Sequence, residues 1–261
     1  MIGTFAGIAG ATALLLAQVA FSPAAEIKVF STIGVQSALE ELAPQFEKAS
    51  GHKLNITWAT AAILVKRVQA GESADLLLLT KQSLDALTKD NKASAGPEAT
   101  IASSGMAMVV KKGAPKPDIS TPEAFKQTLL NAKTIAYSDP AAGGASGVYL
   151  AKLLERMGIA DQMKAKTKHP PPSGNSAVLV VNGEADLAIQ QEPEVMSVAG
   201  VDMVGPLPGE LNNITTYSAG VGVGSQQADA ANALIRFLHT PEAAAVFKAK
   251  GLTPIAAPKA S

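Results

Sequence analysis

Apolar and polar positions follow one another along the chain in blocks that predict strands followed by helices. A short apolar strand at residues 27–30 precedes a helix with one apolar face. The apolar positions of that helix are Val35, Leu39, Leu42 and Phe46. The same order returns in a strand over 53–58, a helix over 63–70, the apolar strand 75–79 and a helix over 82–89. This alternation predicts an α/β architecture with right-handed crossovers.

The second half of the chain continues the pattern. Strands are predicted over 101–110, 133–137, 185–190, 201–204 and 214–223. Helices are predicted after Thr121 and over 146–157, 228–239 and 241–249, with Thr121 followed by Pro122 as a helix start. Residues 177–181 fit either a helix or a strand, because their periodicity does not decide between the two.

Four turns end a strand with small hydroxyl or glycine residues. They are Ser31-Thr32, Ala59-Thr60-Ala61, Ser103-Ser104-Gly105 and Asp139 to Gly147. Free N–H groups at a following helix N-terminus favour an anion there, with roughly half a positive charge at each tip. Ser31 or Thr32 is also suited to an ordinary N-cap. Because ligands of open α/β sheets bind beyond the carboxyl ends of the strands, several such tips predict one anion-binding cleft.

Residues 1–25 predict a cleaved secretory leader. No charge occurs from Ile2 to Phe21, and the small residues Ser22 to Ala25 place the cleavage near Ala24 or Ala25. A retained membrane anchor is the alternative, since the start of the segment lacks Lys and Arg. We therefore expect export to the periplasm.

Composition narrows the function. Lys+Arg and Asp+Glu balance at 22 each, which does not favour a nucleic-acid partner or an anionic membrane. Cysteine is absent, so disulfides and thiolate metal sites are excluded. The three histidines lie far apart in the sequence, which argues against a histidine metal cluster. No Gly-Lys-Ser/Thr follows the glycines at 143–147, which argues against a phosphate loop. No Gly-x-Ser-x-Gly occurs, which argues against a serine hydrolase. We expect no metal and no cofactor.

Four segments carry a resemblance to a known family. They are VFSTIGVQSALEELAPQFEKASG, WATAAILVKRVQAGESADLLLL, GASGVYLAKLLERMGI and NGEADLAIQQEPE. The chain resembles the type-2 periplasmic solute-binding proteins, and within them it is most similar to the molybdate-binding proteins of ABC importers. The resemblance implies two α/β lobes with the ligand cleft between them, crossing near 106–111 and 215–221. Residues 26–105 plus 220–261 then form lobe 1, and residues 106–219 form lobe 2.

The ligand turns depart from the molybdate pattern of consecutive serines and a later tyrosine. Thr60 is the only hydroxyl of the second turn, and Gln190-Gln191-Glu192 stands where the tyrosine is expected. An inward-facing glutamate repels a fully ionised oxyanion, so we expect a small carboxylic acid instead. The predicted ligand-binding residues are Ser31, Thr32, Thr60, Ala61, Ser104, Gly144, Ala145, Ser146, Gln190 and Gln191.

One branch of the family isomerises aconitate, and the resemblance extends to it in length, leader and lobe pattern. An allylic proton shift needs anion sites for carboxylates and one base, without a cofactor. The candidates for the base are Glu192, which we place first, Asp139 and Tyr137, with His169 beside them. Asp139 also suits a turn cap before Pro140, and His169 suits an exposed linker.

Two hypotheses of different class remain at this point. The first is a periplasmic isomerase of the solute-binding fold that converts trans-aconitate to cis-aconitate. The second is the non-catalytic receptor of an ABC importer for molybdate or another small anion, with an ABC permease as its partner. Both need the same cleft and a small anionic ligand, and we expect a monomer in either case.

Overall fold

The computed structural model describes residues 24–258, so residues 1–23 of the predicted leader and the last three residues lie outside the described part. The strands are β1 (Glu26–Thr32), β2 (Lys53–Ala59), β3 (Leu76–Thr80), β4 (Ala93–Ser94), β5 (Thr100–Ser104), β6 (Met106–Lys111), β7 (Ile135–Ala136), β8 (Thr167–Lys168), β9 (Leu187–Gln191), β10 (Val201–Pro206), β11 (Thr215–Gly222) and β12 (Thr253–Pro254).

The helices alternate with these strands as the sequence predicts. They are α1 (Gln36–Ser50), α2 (Ala61–Gln69), α3 (Lys81–Lys89), α4 (Pro122–Asn131), α5 (Ala145–Arg156), α6 (Ala160–Lys164), α7 (Ala177–Val181), α8 (Glu192–Met196), α9 (Ala228–Phe237) and α10 (Pro241–Ala249). The ambiguous segment 177–181 is therefore helical. Short 3-10 turns at Ile33–Val35, Pro140–Ala142 and Gly209–Leu211 complete the chain.

The strands form two separate sheets, which confirms the two-lobed α/β fold. The first sheet has the order β12-β5-β11-β3-β1-β2, with β4 paired to β11. The second has the order β10-β6-β9-β7-β8. In the first sheet β1 is parallel to β2 and β3, whereas β11 is antiparallel to β3 and β5. The carboxyl ends of β1, β2 and β3 therefore share one edge.

Strand β3 shows why the central strands are wholly apolar. Leu76 and Leu78 join an apolar cluster with residues of α1, α9 and α10. Leu77 and Leu79 join a second cluster with residues of α2 and α3 on the opposite face. Because successive side chains of a strand point to opposite faces, a sheet covered by helices on both sides needs apolar residues at every position.

The first crossing between the lobes occurs at Gly105. The sequence predicts one strand over 101–110, and this prediction is wrong, because β5 belongs to the first sheet and β6 to the second. A Cβ atom at Gly105 would lie 2.7 Å from the side-chain amide of Asn212. The Oδ1 atom of Asn212 accepts a hydrogen bond from the Met106 N–H at 2.8 Å. The chain thus passes from one sheet to the other at a glycine, because a side chain at this position would collide with Asn212 of the returning segment.

The returning crossing lies earlier than the sequence predicts. Strand β10 of the second sheet ends at Pro206, and β11 pairs along its whole length within the first sheet. Residues 215–219, which the sequence assigns to lobe 2, therefore pair in the first sheet. The crossing falls between Pro206 and Thr215, and we propose that the chain returns from lobe 2 to lobe 1 in this segment.

Threonine side chains begin several helices, as the sequence predicts for Thr121. Thr60, Thr80, Thr121 and Thr240 each accept a hydrogen bond from a backbone N–H in the first turn of the helix that follows. Neither Ser31 nor Thr32 caps α1 in this way. Both lie at the end of β1, and the 3-10 turn separates them from the helix.

Gly222 at the end of β11 tests the packing of the first sheet. A Cβ atom at Gly222 would lie 1.9 Å from the backbone oxygen of Ala74, whereas one at Gly96 would meet nothing within 4 Å. We expect Gly222→Ala to lower the free energy of unfolding by about 1–3 kcal/mol in urea titrations, as overpacking does. The control Gly96→Ala should change it by less than about 0.5 kcal/mol. Equal effects of the two substitutions would contradict this packing.

Candidate functional site

A cavity of about 500 Å³ lies between the two lobes and receives residues from both. Its lining includes Thr32, Ile33, Gly34, Thr60, Ala61, Thr80, Lys81, Gly144, Ala145, Ser146, Tyr149, Lys152, Gln191, Glu194, Asn213, Ile214, Thr215 and Tyr217. The N-termini of α2, α3 and α5 contribute residues to the wall, together with the 3-10 turn before α1. Each tip supplies free N–H groups, so the cavity is suited to a ligand with several negative charges.

The structure brings most of the predicted ligand-binding residues to this cavity. Those that line it are Thr32, Thr60, Ala61, Gly144, Ala145, Ser146 and Gln191. Ser31 is buried beside the cavity, with its hydroxyl 3.4 Å from the Thr32 backbone oxygen. Gln190 points elsewhere, because its Oε1 atom accepts hydrogen bonds from the Ser176 N–H at 2.8 Å and hydroxyl at 2.7 Å.

The lobes touch beside the tip of α2. The Thr60 hydroxyl donates to the Ala142 backbone oxygen at 3.0 Å and accepts from the Ile63 N–H at 3.4 Å. A Cβ atom at Gly143 would lie 2.5 Å from the Cβ atom of Ala62. The hydrogen of the Thr60 hydroxyl is thus already used between the lobes. In this closed arrangement Thr60 offers a ligand less than its sequence position predicts.

Glu192, the first-ranked base, does not line the cavity. It begins α8, and its N–H donates to the Gly105 oxygen at 2.9 Å. Its side chain lies against Gly251 of lobe 1, where an added Cβ atom would lie 3.0 Å from the Glu192 Cγ atom. Burial raises the pKa of this carboxyl. The prediction of an inward-facing Glu192 is therefore wrong.

The other predicted bases also lie outside the cavity. Asp139 caps a 3-10 turn, where its Oδ1 atom accepts from the Ala141 N–H at 2.9 Å. Tyr137 lies in the core of lobe 2 with its ring 4.8 Å from the His169 ring, edge to face. The His169 Nδ1 atom is 2.9 Å from the Tyr137 backbone oxygen. These contacts give all three residues structural roles, and none of them reaches the cavity wall.

Glu194 is the carboxyl group that reaches the cavity. It is the third residue of α8 and only 9% exposed, and its Oε2 atom accepts from the Gln191 N–H at 3.3 Å. Burial raises the pKa of Glu194 to about 7, against the lowering effect of hydrogen bonds from the Gln190 side chain and the Gln191 backbone. A carboxyl group with such a pKa exchanges a proton near neutral pH, as a general base requires.

Tyr217 lies at the base of the cavity and is 1% exposed. Its hydroxyl is 3.1 Å from the Ser104 hydroxyl, which donates to the Gln191 Oε1 atom at 2.7 Å. The Gln191 Nε2 atom donates to the Thr215 hydroxyl at 2.9 Å. Burial and the charge of Glu194 raise the pKa of Tyr217, and the Ser104 hydrogen bond opposes them. This network joins the two sheets, while burial keeps the tyrosine neutral.

Gly34 leaves room for the Tyr217 ring. A Cβ atom at Gly34 would lie 2.4 Å from the Tyr217 hydroxyl oxygen and 2.8 Å from the ring carbons. The small polar turn that the sequence marks after β1 is therefore required by packing as well as by the helix that follows. The tyrosine itself carries no signal in the sequence, because it lies inside the strand β11.

Two lysines in the wall also escaped the sequence analysis. Lys81 is the first residue of α3 in lobe 1, and Lys152 lies on α5 in lobe 2. The Nζ atom of Lys81 is 2.6 Å from the Asp85 Oδ2 atom, one helical turn away. Lys152 is in no ion pair with any residue from 24 to 258. The cleft lining thus includes one lysine from each lobe.

The described part of the chain has neither a metal-binding cluster nor a helix that could span a membrane. Residues 24–258 contain no group of three or more His, Asp or Glu side chains placed to hold a metal ion. Over the same range no helix has both the length and the hydropathy to cross a bilayer. The wall of the cavity is therefore built from helix tips, hydroxyls, amides, two lysines and Glu194.

Two lobes joined by two crossing segments, with helix N-termini converging on the cleft between them, define a solute-binding protein. The chain belongs to the family of bacterial extracellular solute-binding proteins, which matches it over residues 27–253. It is 38% identical to an aconitate isomerase of a Pseudomonas species over 254 residues, covering 94% of this chain and 95% of that protein. It is 26% identical to the molybdate-binding protein ModA of Escherichia coli K12, with 97% of each chain covered.

Solved structures share the fold at lower sequence identity. The sulfate-binding protein SubI of Mycobacterium tuberculosis superposes with a TM-score of 0.71 at 20% identity, covering 88% of this chain and 87% of that one. The periplasmic molybdate-binding protein of Azotobacter vinelandii gives a TM-score of 0.68 at 19% identity, with 87% and 98% covered. The resemblance to the type-2 solute-binding proteins that the sequence suggests is thereby confirmed.

The raised pKa of Glu194 predicts a pH-dependent stability. The folded protein holds this proton more tightly than the unfolded chain, so stability falls as the pH rises from about 4.5 to about 7. Glu194→Gln removes that loss, and we expect its stability relative to the wild type to rise by up to about 3 kcal/mol between pH 4 and pH 8. Denaturant titrations of both proteins measure this change. A difference that stays constant with pH would contradict the assignment.

Proposed function

We propose that the protein is an isomerase that converts trans-aconitate to cis-aconitate, with Glu194 as the base. The observation that carries the proposal is a buried carboxyl with a pKa near 7 in a cavity otherwise suited to anions. The 38% identity to an aconitate isomerase over 94% of the chain supports the same reaction. The role assigned to Glu192 from the sequence thus passes to Glu194, two residues further along α8.

The tips of α2, α3 and α5 hold the carboxylates of the substrate, together with Lys81 and Lys152. Fixed backbone N–H groups donate charge-assisted hydrogen bonds to these carboxylates and so orient the substrate. Because these donors belong to the backbone, they leave space in the cavity for the carbon chain of the substrate. The cavity of about 500 Å³ is larger than a tetrahedral oxyanion needs and accommodates a six-carbon tricarboxylate.

The reaction moves one proton and one double bond. The Glu194 carboxylate removes a proton from the methylene group of trans-aconitate, and the electron pair delocalises over the adjacent double bond and its carboxylate. Glu194 then returns a proton to the former alkene carbon, which places the double bond at the other position. The positive helix tips and the lysines stabilise the negative charge that develops on the carboxylates between the two steps. No redox step and no added reactant are needed.

Glu194 also bears on the alternative, a non-catalytic receptor for molybdate or another small anion. The 26% identity to ModA favours that alternative. A fully ionised oxyanion is best held by donors alone, and an ionised Glu194 in the wall repels it. For a substrate that transfers a proton to Glu194, by contrast, the same carboxylate is the group that accepts the proton. The receptor alternative would add an ABC permease as a partner, whereas the isomerase needs none.

The family is extracellular, and we propose that this protein acts in the periplasm as a monomer after removal of a leader within residues 1–25. Its substrate would then meet the enzyme after passing the outer membrane. Mass spectrometry of the mature protein from the periplasmic fraction reports the cleavage point directly.

Ligand preference is the first test of the proposal. We expect trans-aconitate to stabilise the protein more than molybdate does, by about 2.7 kcal/mol at 100 times its dissociation constant. Lys152→Gln should weaken aconitate binding about tenfold through the lost charged hydrogen bond, measured by calorimetry. Lys89→Gln, at the exposed far end of α3, serves as the matched control. Tight molybdate binding without carboxylate binding would favour the receptor alternative.

Catalysis is tested by two neighbouring glutamates with different surroundings. Glu194→Gln should lower the turnover of trans-aconitate by about 100- to 10,000-fold, because the base is lost while the shape of the site is kept. Glu192→Gln should leave turnover within about threefold, since Glu192 does not line the cavity. The assay follows the absorbance change on isomerisation. Wild-type protein without turnover would refute the enzyme, and full activity in Glu194→Gln would refute this base.

A further inference from the structure

Glu194 borders a second cavity on the other side of the cleft wall. This side cavity has a volume of about 310 Å³ and lies between α1, α8 and the loop before α7. Its lining includes Gln36, Ser37, Glu40, Gln190, Glu194 and Ser197. Ile33 and Glu194 are the residues that line both this cavity and the cleft. Of the two, only Glu194 carries a group that exchanges protons.

The side cavity is polar and has an outer end at the surface. Its inner end is formed by the buried residues Gln190 and Glu194, whereas Glu40 and Ser197 are exposed. Hydroxyl and amide groups line the space between them. A cavity of this size and polarity has room for several water molecules, since each occupies about 30 Å³ and needs two to four polar partners.

Two other titratable groups face this region. Tyr217 lies on the cleft side and stays neutral, because burial raises its pKa. Glu40 lies at the outer end of the side cavity, where its Oε1 atom accepts from the Gln36 Nε2 atom at 2.7 Å. Tyr217 does not line the side cavity, and Glu40 lines it at its exposed end.

We propose that the side cavity is the route by which Glu194 exchanges its proton with solvent while substrate fills the cleft. The proposal rests on the role of Glu194 as the base. During the reaction a substrate C–H bond breaks and its proton passes to Glu194. That proton then either returns to the substrate at the second carbon or is replaced by a proton from water in the side cavity. Both fates balance, because one proton leaves the substrate and one returns.

Turnover in D₂O separates the two fates. Unlabelled trans-aconitate is converted by wild-type protein, and mass spectrometry counts deuterium in the cis-aconitate formed at early times. We expect a major fraction of this product to carry one solvent deuterium. Product without solvent deuterium would overturn the proposal, and it would do so without any variant. A wild-type protein that does not turn over would refute the proposed function and this route together.

Variants that fill the side cavity then test the route itself. Ser37→Leu and Ser197→Leu enter it from α1 and from the end of α8, and Ser94→Leu on the exposed edge of β4 is the control. We expect the deuterium fraction to fall by about twofold or more in the filled variants, because fewer waters reach Glu194. The control should match the wild type.

Two independent positions keep the test valid if one leucine disturbs folding, which urea titration reports. An unchanged deuterium fraction in a folded, active, filled variant would overturn the route and leave Glu194 as the base. Exchange would then occur through the mouth of the cleft. A lower deuterium fraction with retained turnover is not expected from a purely structural effect, which would lower the rate without redirecting the proton.

Discussion

The passage of the chain between the two sheets at Gly105 determines how the two lobes meet and where the base of the cleft lies. One residue separates a strand of the first sheet from a strand of the second, and the Asn212 side chain of the returning segment lies against it. This close crossing brings Ser104 of lobe 1 within hydrogen-bonding distance of Gln191 in lobe 2. The base of the cleft is therefore fixed by backbone geometry, whereas the helix tips that form its walls come from both lobes.

A buried carboxyl in a site built for anions is an electrostatic conflict within the fold. Glu194 is kept from water by its position on α8 and is opposed by the negative charge that any ligand brings. One side-chain donor and one backbone donor compensate for only part of the lost hydration of this carboxyl. The group therefore stays protonated up to a pH of about 7. Stability is given up at this position, as is common where a group must change its charge during function.

The sequence predicts the fold well because alternation and capping are local signals. The apolar strand β3 and the cap at Thr121 follow from neighbouring residues alone. The sheet change at Gly105 is hidden in one apolar run, since strands of either sheet read alike. The sequence also does not show which of Glu192 and Glu194 faces the cleft. Two residues span about 200° around a helix, so the direction of each depends on how α8 packs against its neighbours.

The contact between Thr60 and Ala142 has a consequence for how the cleft admits a ligand. One hydrogen bond and a touching pair of small residues join the lobes at this rim. A single hydrogen bond contributes a net of about 0.5–1.5 kcal/mol, close to thermal energy at the lower end. A ligand that binds the cations and helix tips of both lobes can therefore contribute more to their association at this rim than their direct contact does.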